Sequence, residues 1–122
     1  MGIVLHPTDV LRDVVFDEAG HFVSGVHVDR LSAEGTFTLS LRLSGDPGSY
    51  WLVVKTETPV PTHQVQFPSQ FITLKGGHFD LFTELPSFHN APPGAYTFNV
   101  WVANEWLGSL TVPVSENYGP QS

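Results

Sequence analysis

The sequence predicts an all-β protein built as an antiparallel sandwich of about seven to nine short strands. Three observations favour this fold: apolar and polar residues alternate over short runs, turn-forming residues separate the runs, and helix-breaking residues are abundant. The 122 residues include 11 glycines and 10 prolines, while charged residues make up 14%. This length fits a single domain, which we expect to span residues 1–114, with residues 115–122 as a flexible tail.

The chain contains no cysteine. Disulfides, thiolate zinc sites, iron–sulfur clusters and cysteine nucleophiles are therefore excluded. A chain of this size buries roughly two-thirds of its unfolded surface, so we expect its apolar core to suffice without a disulfide or a metal.

The strongest alternation lies at residues 36–43, where every second residue is apolar. The predicted inward residues are Phe37, Leu39, Leu41 and Leu43. A turn at residues 44–49 follows this strand. The next run, residues 50–56, is almost continuously apolar, which indicates a strand buried on both faces in the middle of a sheet. Residues 57–66 contain two prolines and form a predicted loop.

The second half of the chain continues the same alternation. Strands are predicted at residues 71–75, 79–85, 95–102 and 106–114. In the second of these strands the residues that share one face are Phe79, Leu81, Thr83 and Leu85. In the third strand the inward residues are Tyr96, Phe98, Val100 and Val102.

The first third of the chain carries a weaker pattern. Residues 10–16 and 22–28 could pair as a hairpin around a turn at residues 17–20, although residues 10–15 also fit one helical turn. The first 30 residues could therefore form an edge hairpin, a swapped strand or an arm that reaches a neighbour.

Four residues give the chain a resemblance to an immunoglobulin-type sandwich without its disulfide. In chain order they are Leu39, Trp51, Tyr96 and Phe98. The resemblance implies that Leu39 and Phe98 stand in the two cysteine positions, with Trp51 between them. It also implies a tyrosine corner, in which the Tyr96 hydroxyl bonds to backbone in the loop of residues 84–93. The aspartate usual at four residues before that tyrosine is replaced by Pro92.

A narrower resemblance covers roughly residues 36–114. Residues 93–102 read Pro-Gly-x-Tyr-x-Phe-x-Val-x-Val, and residues 107–112 read Leu-Gly-x-x-x-Val. These segments look like the ending of small bacterial immunoglobulin-like β-sandwich proteins of a family of unknown function. The resemblance implies a bacterial sandwich protein and implies no reaction.

The six histidines are spread along the chain, and no two lie within five residues of each other. They are His6, His21, His27, His63, His78 and His89. No His-Glu-x-x-His or His-x-His spacing occurs, so a solvated or structural role is favoured over a metal site built from several loops or a pH-sensing role. The acidic residues of the first third fall at turns and strand ends and predict a solvated face. We expect no catalytic residue, no metal, no cofactor and no enzyme activity.

The charge balance restricts the partners. Twelve acidic and five basic residues give a net charge of −7. Because nucleic acids and anionic membrane surfaces attract basic proteins, neither is an expected partner. No apolar stretch approaches the roughly 20 residues that span a bilayer, and the first residues lack the basic start of a signal peptide. The expected location is the cytoplasm.

An aromatic patch near the chain end is the best candidate binding site. If Phe98 and its alternating neighbours point inward, Thr97, Asn99 and Trp101 lie on the opposite face, and Trp106 lies close across the following turn. The proline-bearing loop with His63 is a second candidate. Trp101 could also be covered by a helix, the N-terminal strand or a sister subunit.

The sequence therefore predicts a non-catalytic immunoglobulin-like interaction module. Its expected partner is another protein or a second copy, contacted through the aromatic patch and the sheet edges. The alternative is a carbohydrate-binding module that stacks a sugar on the exposed tryptophans. A metal-dependent enzyme that uses the scattered histidines is the third hypothesis.

Overall fold

The computed structural model describes residues 2–32, 36–60, 67–75, 77–85 and 92–115. In these ranges the chain forms nine strands and no helix, and all pairs between strands are antiparallel. The predicted antiparallel sandwich is confirmed. The predicted tail begins with Ser115, whose backbone N donates to the Leu31 carbonyl oxygen, and residues 116–122 lie outside the described ranges.

The strands form two sheets. Sheet A contains β1 (Val4–Leu5), β2 (Asp9–Phe16), β3 (Phe22–His27), β4 (Phe37–Ser44) and β7 (His78–Glu84). Sheet B contains β5 (Gly48–Glu57), β6 (Gln70–Leu74), β8 (Gly94–Val102) and β9 (Glu105–Val114).

In sheet A, β4 is the central strand. One edge of β4 pairs with β7 along its length. The other edge pairs with β1 and β2, which lie end to end, and β3 flanks β2. In sheet B the strand order is β6-β5-β8-β9.

The core lies between the two sheets, and the predicted inward faces of β4 and β8 are confirmed. Phe37, Leu39, Leu41 and Leu43 are all buried, as are Tyr96, Phe98, Val100 and Val102. Leu39 and Phe98, the residues in the two cysteine positions, are fully inaccessible. Burying one such side chain stabilises the fold by about 1.5–3 kcal/mol, so apolar contacts can replace the covalent link.

Trp51 does not occupy the position that the resemblance implies. Its side chain is 56% exposed, whereas the neighbouring Leu52 is 1% exposed and points into the core. The strand lies in the middle of its sheet as predicted, between β6 and β8, but alternation still holds along it. The predictions that Trp51 packs between Leu39 and Phe98 and that this strand is buried on both faces are wrong. No described element covers the outer face of sheet B, so only one face of this strand is buried.

The tyrosine corner is present. The Tyr96 ring is fully buried, and its hydroxyl donates a hydrogen bond of 2.8 Å to the Pro92 carbonyl oxygen. Burial raises the pKa of Tyr96. The acceptor is a backbone carbonyl oxygen, which proline has as aspartate does. The replacement of the usual aspartate by Pro92 therefore leaves the tyrosine corner intact.

The first third of the chain is a hairpin that pairs with this chain's own β4, and the alternative of a helical turn is wrong. The Asp17 carboxylate accepts hydrogen bonds from the backbone N–H groups of Ala19 and His21, at 2.9 and 2.8 Å. Gly20 has a φ of 84°. The turn therefore uses a side-chain bond and a glycine at positive φ, as the predicted turn requires.

The β2–β3 hairpin bends over the outer face of sheet A. The bend follows Asp13, which has a φ of 53°, and the pairing between the two strands shifts register there. Beyond the bend, Phe22 stacks on Phe82 of β7 with centroids 4.7 Å apart, and Phe16 meets the same ring edge-on at 5.6 Å. Leu11 of β2 lies against Gly25 of β3 and is 8% exposed, although it is not part of the central core.

Candidate binding surface on the outer face of sheet B

Trp101 and Trp106 are brought together by a β-bulge. Trp101 points outward because it alternates with the buried Val100 and Val102. Val100 pairs with Gly108, but Trp101 pairs with Trp106, so β9 contains one extra residue between these pairs. The bulge reverses the alternation and moves Trp106 to the outer face. The prediction that the two tryptophans pair across the turn is confirmed.

The turn between β8 and β9 fixes this register. Ala103 and Asn104 have φ values of 51° and 65°. Two successive residues at positive φ are the mark of a two-residue type I′ hairpin, whose twist matches that of the flanking strands. The Ala103 backbone N donates to the Trp51 carbonyl oxygen at 3.0 Å, so the turn is also tied to β5.

Two further aromatic residues lie on the same face and were not predicted there. Trp51 of β5 and Phe71 of β6 are register partners, and their rings are 5.2 Å apart. We call the set of Trp51, Phe71, Trp101 and Trp106 the aromatic face. Alternation with the buried Ile72 and Leu74 is a sequence signal for the outward position of Phe71, whereas the continuous apolar run of β5 gives no such signal for Trp51.

Polar side chains hold this surface in place. The Trp106 Nε1–H donates to Asn99 Oδ1 at 3.2 Å, and Asn99 Nδ2 donates to Glu57 Oε2 at 3.1 Å. The hydroxyl groups of Thr97 and Thr111 are 2.9 Å apart and share a hydrogen bond across β8 and β9. Asn99 thus orients the indole of Trp106. Because the ring is already restrained, it loses less conformational entropy on binding.

Trp101 is partly covered by its own sheet. The Lys55 ammonium lies 4.7 Å from the centroid of the Trp101 ring, which is a cation–π distance. The N-terminal strands belong to sheet A, so they do not cover Trp101. The other three rings are more exposed: Trp51 is 56%, Phe71 61% and Trp106 52% accessible.

Four of the five predicted site residues therefore share one face: Thr97, Asn99, Trp101 and Trp106. The fifth, His63, lies in residues 61–66, outside the described ranges.

Two histidines of the described ranges make separate local contacts. His6 Nε2 is 2.7 Å from Ser44 Oγ, and His27 Nδ1 contacts Asp9 Oδ1. Nowhere in those ranges do three His, Asp or Glu side chains come together as metal ligands would. His63 and His89 are not among the described residues. The same ranges contain no helix with the length and apolarity to cross a membrane.

A groove of about 720 Å³ lies between the β2–β3 hairpin and the outer face of β4 and β7, beside the contact of Phe22 with Phe82. Its floor carries Arg42 and Asp80, which form a two-point ion pair with N–O distances of 2.6 and 3.1 Å. The hydrogen bonds from Arg42 hold the pKa of Asp80 below its ordinary value. They also raise the pKa of Arg42.

The lowered pKa of Asp80 predicts a small acid-dependent loss of stability. A depressed carboxyl pKa stabilises the fold above the unfolded value of about 3.9, and this stabilisation is lost as the pH falls through the folded value. The effect is small because both side chains are largely solvated. Urea unfolding at about pH 7 should show Asp80→Asn to be less stable than the unmodified protein, and the difference should shrink at about pH 2. An unchanged difference at acid pH would contradict the assignment.

The nine antiparallel strands and the tyrosine corner make an immunoglobulin-like β-sandwich. The chain is similar to the crystal structure of an immunoglobulin-like protein from Pseudomonas aeruginosa, with 16% identity and a TM-score of 0.46 over 94% of this chain and 98% of that chain. No family model and no curated protein matches. The resemblance to a bacterial family of unknown function stays a prediction.

Proposed function

We propose that this immunoglobulin-like sandwich is a non-catalytic interaction module. It binds another protein, or a second copy of itself, through the aromatic face. The observation that carries the proposal is the exposure of Trp51, Phe71 and Trp106, each more than half accessible on one sheet face. Large aromatic side chains are enriched at the centres of protein interfaces, where they contribute most of the binding energy.

The surroundings of the aromatic face support this proposal. The indole of Trp106 is held by the bonds through Asn99 to Glu57, so this ring loses less conformational entropy when a partner binds. The chain carries a net charge of −7. A foreign partner with a basic rim would therefore associate faster than an acidic one.

The test removes two exposed rings together. We expect the Trp51→Ala, Trp106→Ala double variant to keep its far-UV circular dichroism and to lose a complex that the unmodified chain forms. The complex is measured by affinity capture from host extract and by sedimentation of the purified chain. Val4→Ala is the matched control because Val4 is similarly exposed, at 55%, but lies in sheet A. A complex that survives the double substitution would contradict the proposal.

Carbohydrate binding is the second candidate. The observation that favours it is the chain of polar groups that starts at the Trp106 indole, which bonds to the Asn99 amide, which in turn bonds to the Glu57 carboxylate. Sugars bind by stacking on indoles and by hydrogen bonds to such groups. The tryptophan fluorescence of the purified chain is then expected to shift on titration with a glycan panel. An unchanged spectrum across the panel would remove this candidate.

A further inference from the structure

The cavity between the β2–β3 hairpin and sheet A has the size of a small-molecule site. Its volume of about 720 Å³ falls within the roughly 300–1,000 Å³ that is typical of ligand pockets. We call this cavity the hairpin groove. It lies on the outer face of sheet A, whereas the aromatic face is on the outer face of sheet B. Because the core fills the space between the sheets, the two surfaces lie on opposite sides of the sandwich.

The floor of the hairpin groove is formed by outward residues of three neighbouring strands. Ser40 of β4 lies opposite Asp9 of β2 on one side and opposite Phe82 of β7 on the other. Arg42 is the next residue of β4 on the same face, about 7 Å further along the strand, and it faces Asp80 of β7. All five residues line the groove. A carboxylate, a hydroxyl and a guanidinium group therefore share one continuous floor.

These polar groups have hydrogen-bonding capacity that the described residues do not use. Asp9 Oδ1 contacts His27 Nδ1, but Asp9 Oδ2 has no hydrogen bond to any residue of the described ranges. The Ser40 hydroxyl also has no partner among those residues. Arg42 uses two of its five N–H donors on Asp80, so three remain. The floor thus offers an acceptor at one end and donors at the other.

An apolar wall borders this floor. Phe22 of the hairpin stacks on Phe82 with the ring centroids 4.7 Å apart, and both residues line the groove. Leu11 and Pro7 are the other apolar residues of the lining. Phe22 remains 41% exposed, so its ring keeps accessible surface against which a further aromatic ring can pack.

The charged and titratable groups of the lining are Asp9, Asp80, Arg42 and His21, and the His21 ring lies 3.5 Å from the Asp17 carboxylate. Two carboxylates and one guanidinium group therefore face one space. An amine without an acid group would bring its charge toward Arg42, and an acid without an amine would bring its charge toward Asp9 and Asp80. A zwitterion pairs both of its charges with opposite ones and adds no net charge.

We propose that the hairpin groove binds a small zwitterion of the α-amino acid type with an aromatic side chain. The ammonium group of the ligand donates to Asp9 Oδ2 and to the Ser40 hydroxyl oxygen. Its carboxylate accepts from Arg42, and its ring packs on Phe22. This inference goes beyond the proposed function, because it uses the other sheet and no residue of the aromatic face.

The test titrates isotope-labelled protein with L-phenylalanine and follows the backbone amides by NMR. We expect saturable shifts at Ser40, Arg42 and Phe82, and unchanged positions for Trp101 and Trp106. Phenethylamine lacks the carboxylate and hydrocinnamate lacks the ammonium group. Each should bind at least about tenfold more weakly, which is the loss expected for one charged hydrogen-bonding group. An amine or an acid that binds as tightly as phenylalanine, shifts confined to the aromatic face, or no saturable shift at all overturns the inference.

Substitutions separate the hairpin groove from general effects of charge. Arg42→Gln should weaken phenylalanine binding at least about tenfold. Arg30→Gln is the matched control, because Arg30 is similarly exposed, lies 3.8 Å from the adjacent Asp29 and does not line the groove. Its affinity for phenylalanine should be unchanged. An Arg42→Gln variant that keeps both a folded spectrum and the original affinity contradicts the proposal.

The Trp51→Ala, Trp106→Ala variant distinguishes this inference from the proposed function. It should bind phenylalanine like the unmodified chain while it loses the protein complex. Loss of phenylalanine binding in this variant, with its fold retained, would place the site on the aromatic face and overturn the inference.

Discussion

Replacing Phe98 by alanine is expected to lower the free energy of unfolding by about 3–5 kcal/mol. The Phe98 side chain is fully buried at the centre of the core, and its ring meets Phe67 edge-on at 6.1 Å. The substitution removes the transfer free energy of the ring and leaves a cavity that the two sheets fill only in part. Urea unfolding followed by circular dichroism measures the loss, which should appear as a lower midpoint with an unchanged slope.

Trp51→Ala is the informative counterpart of Phe98→Ala. Immunoglobulin-type sandwiches bury a tryptophan at this point of the chain, but here the Trp51 ring is 56% exposed and contacts Phe71. Its removal should therefore cost about 1–2 kcal/mol, from the aromatic pair and the buried part of the ring, which is well below the loss at Phe98. If Trp51→Ala destabilises the protein as much as Phe98→Ala, the orientation of β5 described above is wrong.

Alternation predicted the strands that have one buried and one solvated face. In β4 and β8 every second residue is apolar, so both the strand and its inward face could be identified without any knowledge of the partner strands. The turn at residues 17–20 could also be predicted. The Asp17 side chain bonds to nearby backbone and Gly20 adopts a positive φ, and neither feature needs a tertiary contact.

The orientation of β5 could not be read in the same way. Its run from Tyr50 to Val54 is apolar throughout, so period two does not distinguish its faces. The choice is made by packing against sheet A, which selects Leu52 and Val54 for the core and leaves Trp51 outside. The resemblance to immunoglobulin domains favoured an inward Trp51, one residue before the Leu52 that actually points inward. A shift of one residue exchanges the two faces of a strand.

The part of the candidate site that lies on a single strand could be predicted from the sequence. Thr97, Asn99 and Trp101 share a face because they alternate with the core residues of β8. The outward position of Trp106 depends on a bulge that strand periodicity alone does not predict. The contact of Phe71 with Trp51 and the contact of the β2–β3 hairpin with Phe82 both depend on pairing between segments that are distant in the chain. The pattern of residues within one strand does not predict such pairing.

Gly45→Ala is expected to lower the free energy of unfolding by about 3 kcal/mol or more. Gly45 has a φ of 145°, a conformation that costs other residues about 1–3 kcal/mol. A Cβ there would lie 1.9 Å from the Gly2 carbonyl oxygen and 2.9 Å from Ile3 Cα. The N-terminal segment would have to move, and the buried Ile3 would lose part of the roughly 1.5–3 kcal/mol that its burial contributes.

Gly20→Ala separates the two causes of the loss at Gly45, which are backbone strain at a positive φ and a steric clash of the new Cβ. Gly20 also has a positive φ, at 84°, but a Cβ at that position meets no atom within 4 Å. Its substitution therefore introduces conformational strain without a clash and should cost about 1–2 kcal/mol in the same urea unfolding experiment. The larger loss at Gly45 then measures how firmly the segment before β1 is packed against the β4–β5 turn. Equal losses at the two positions would show that this segment moves aside without cost and that Ile3 contributes little to the core.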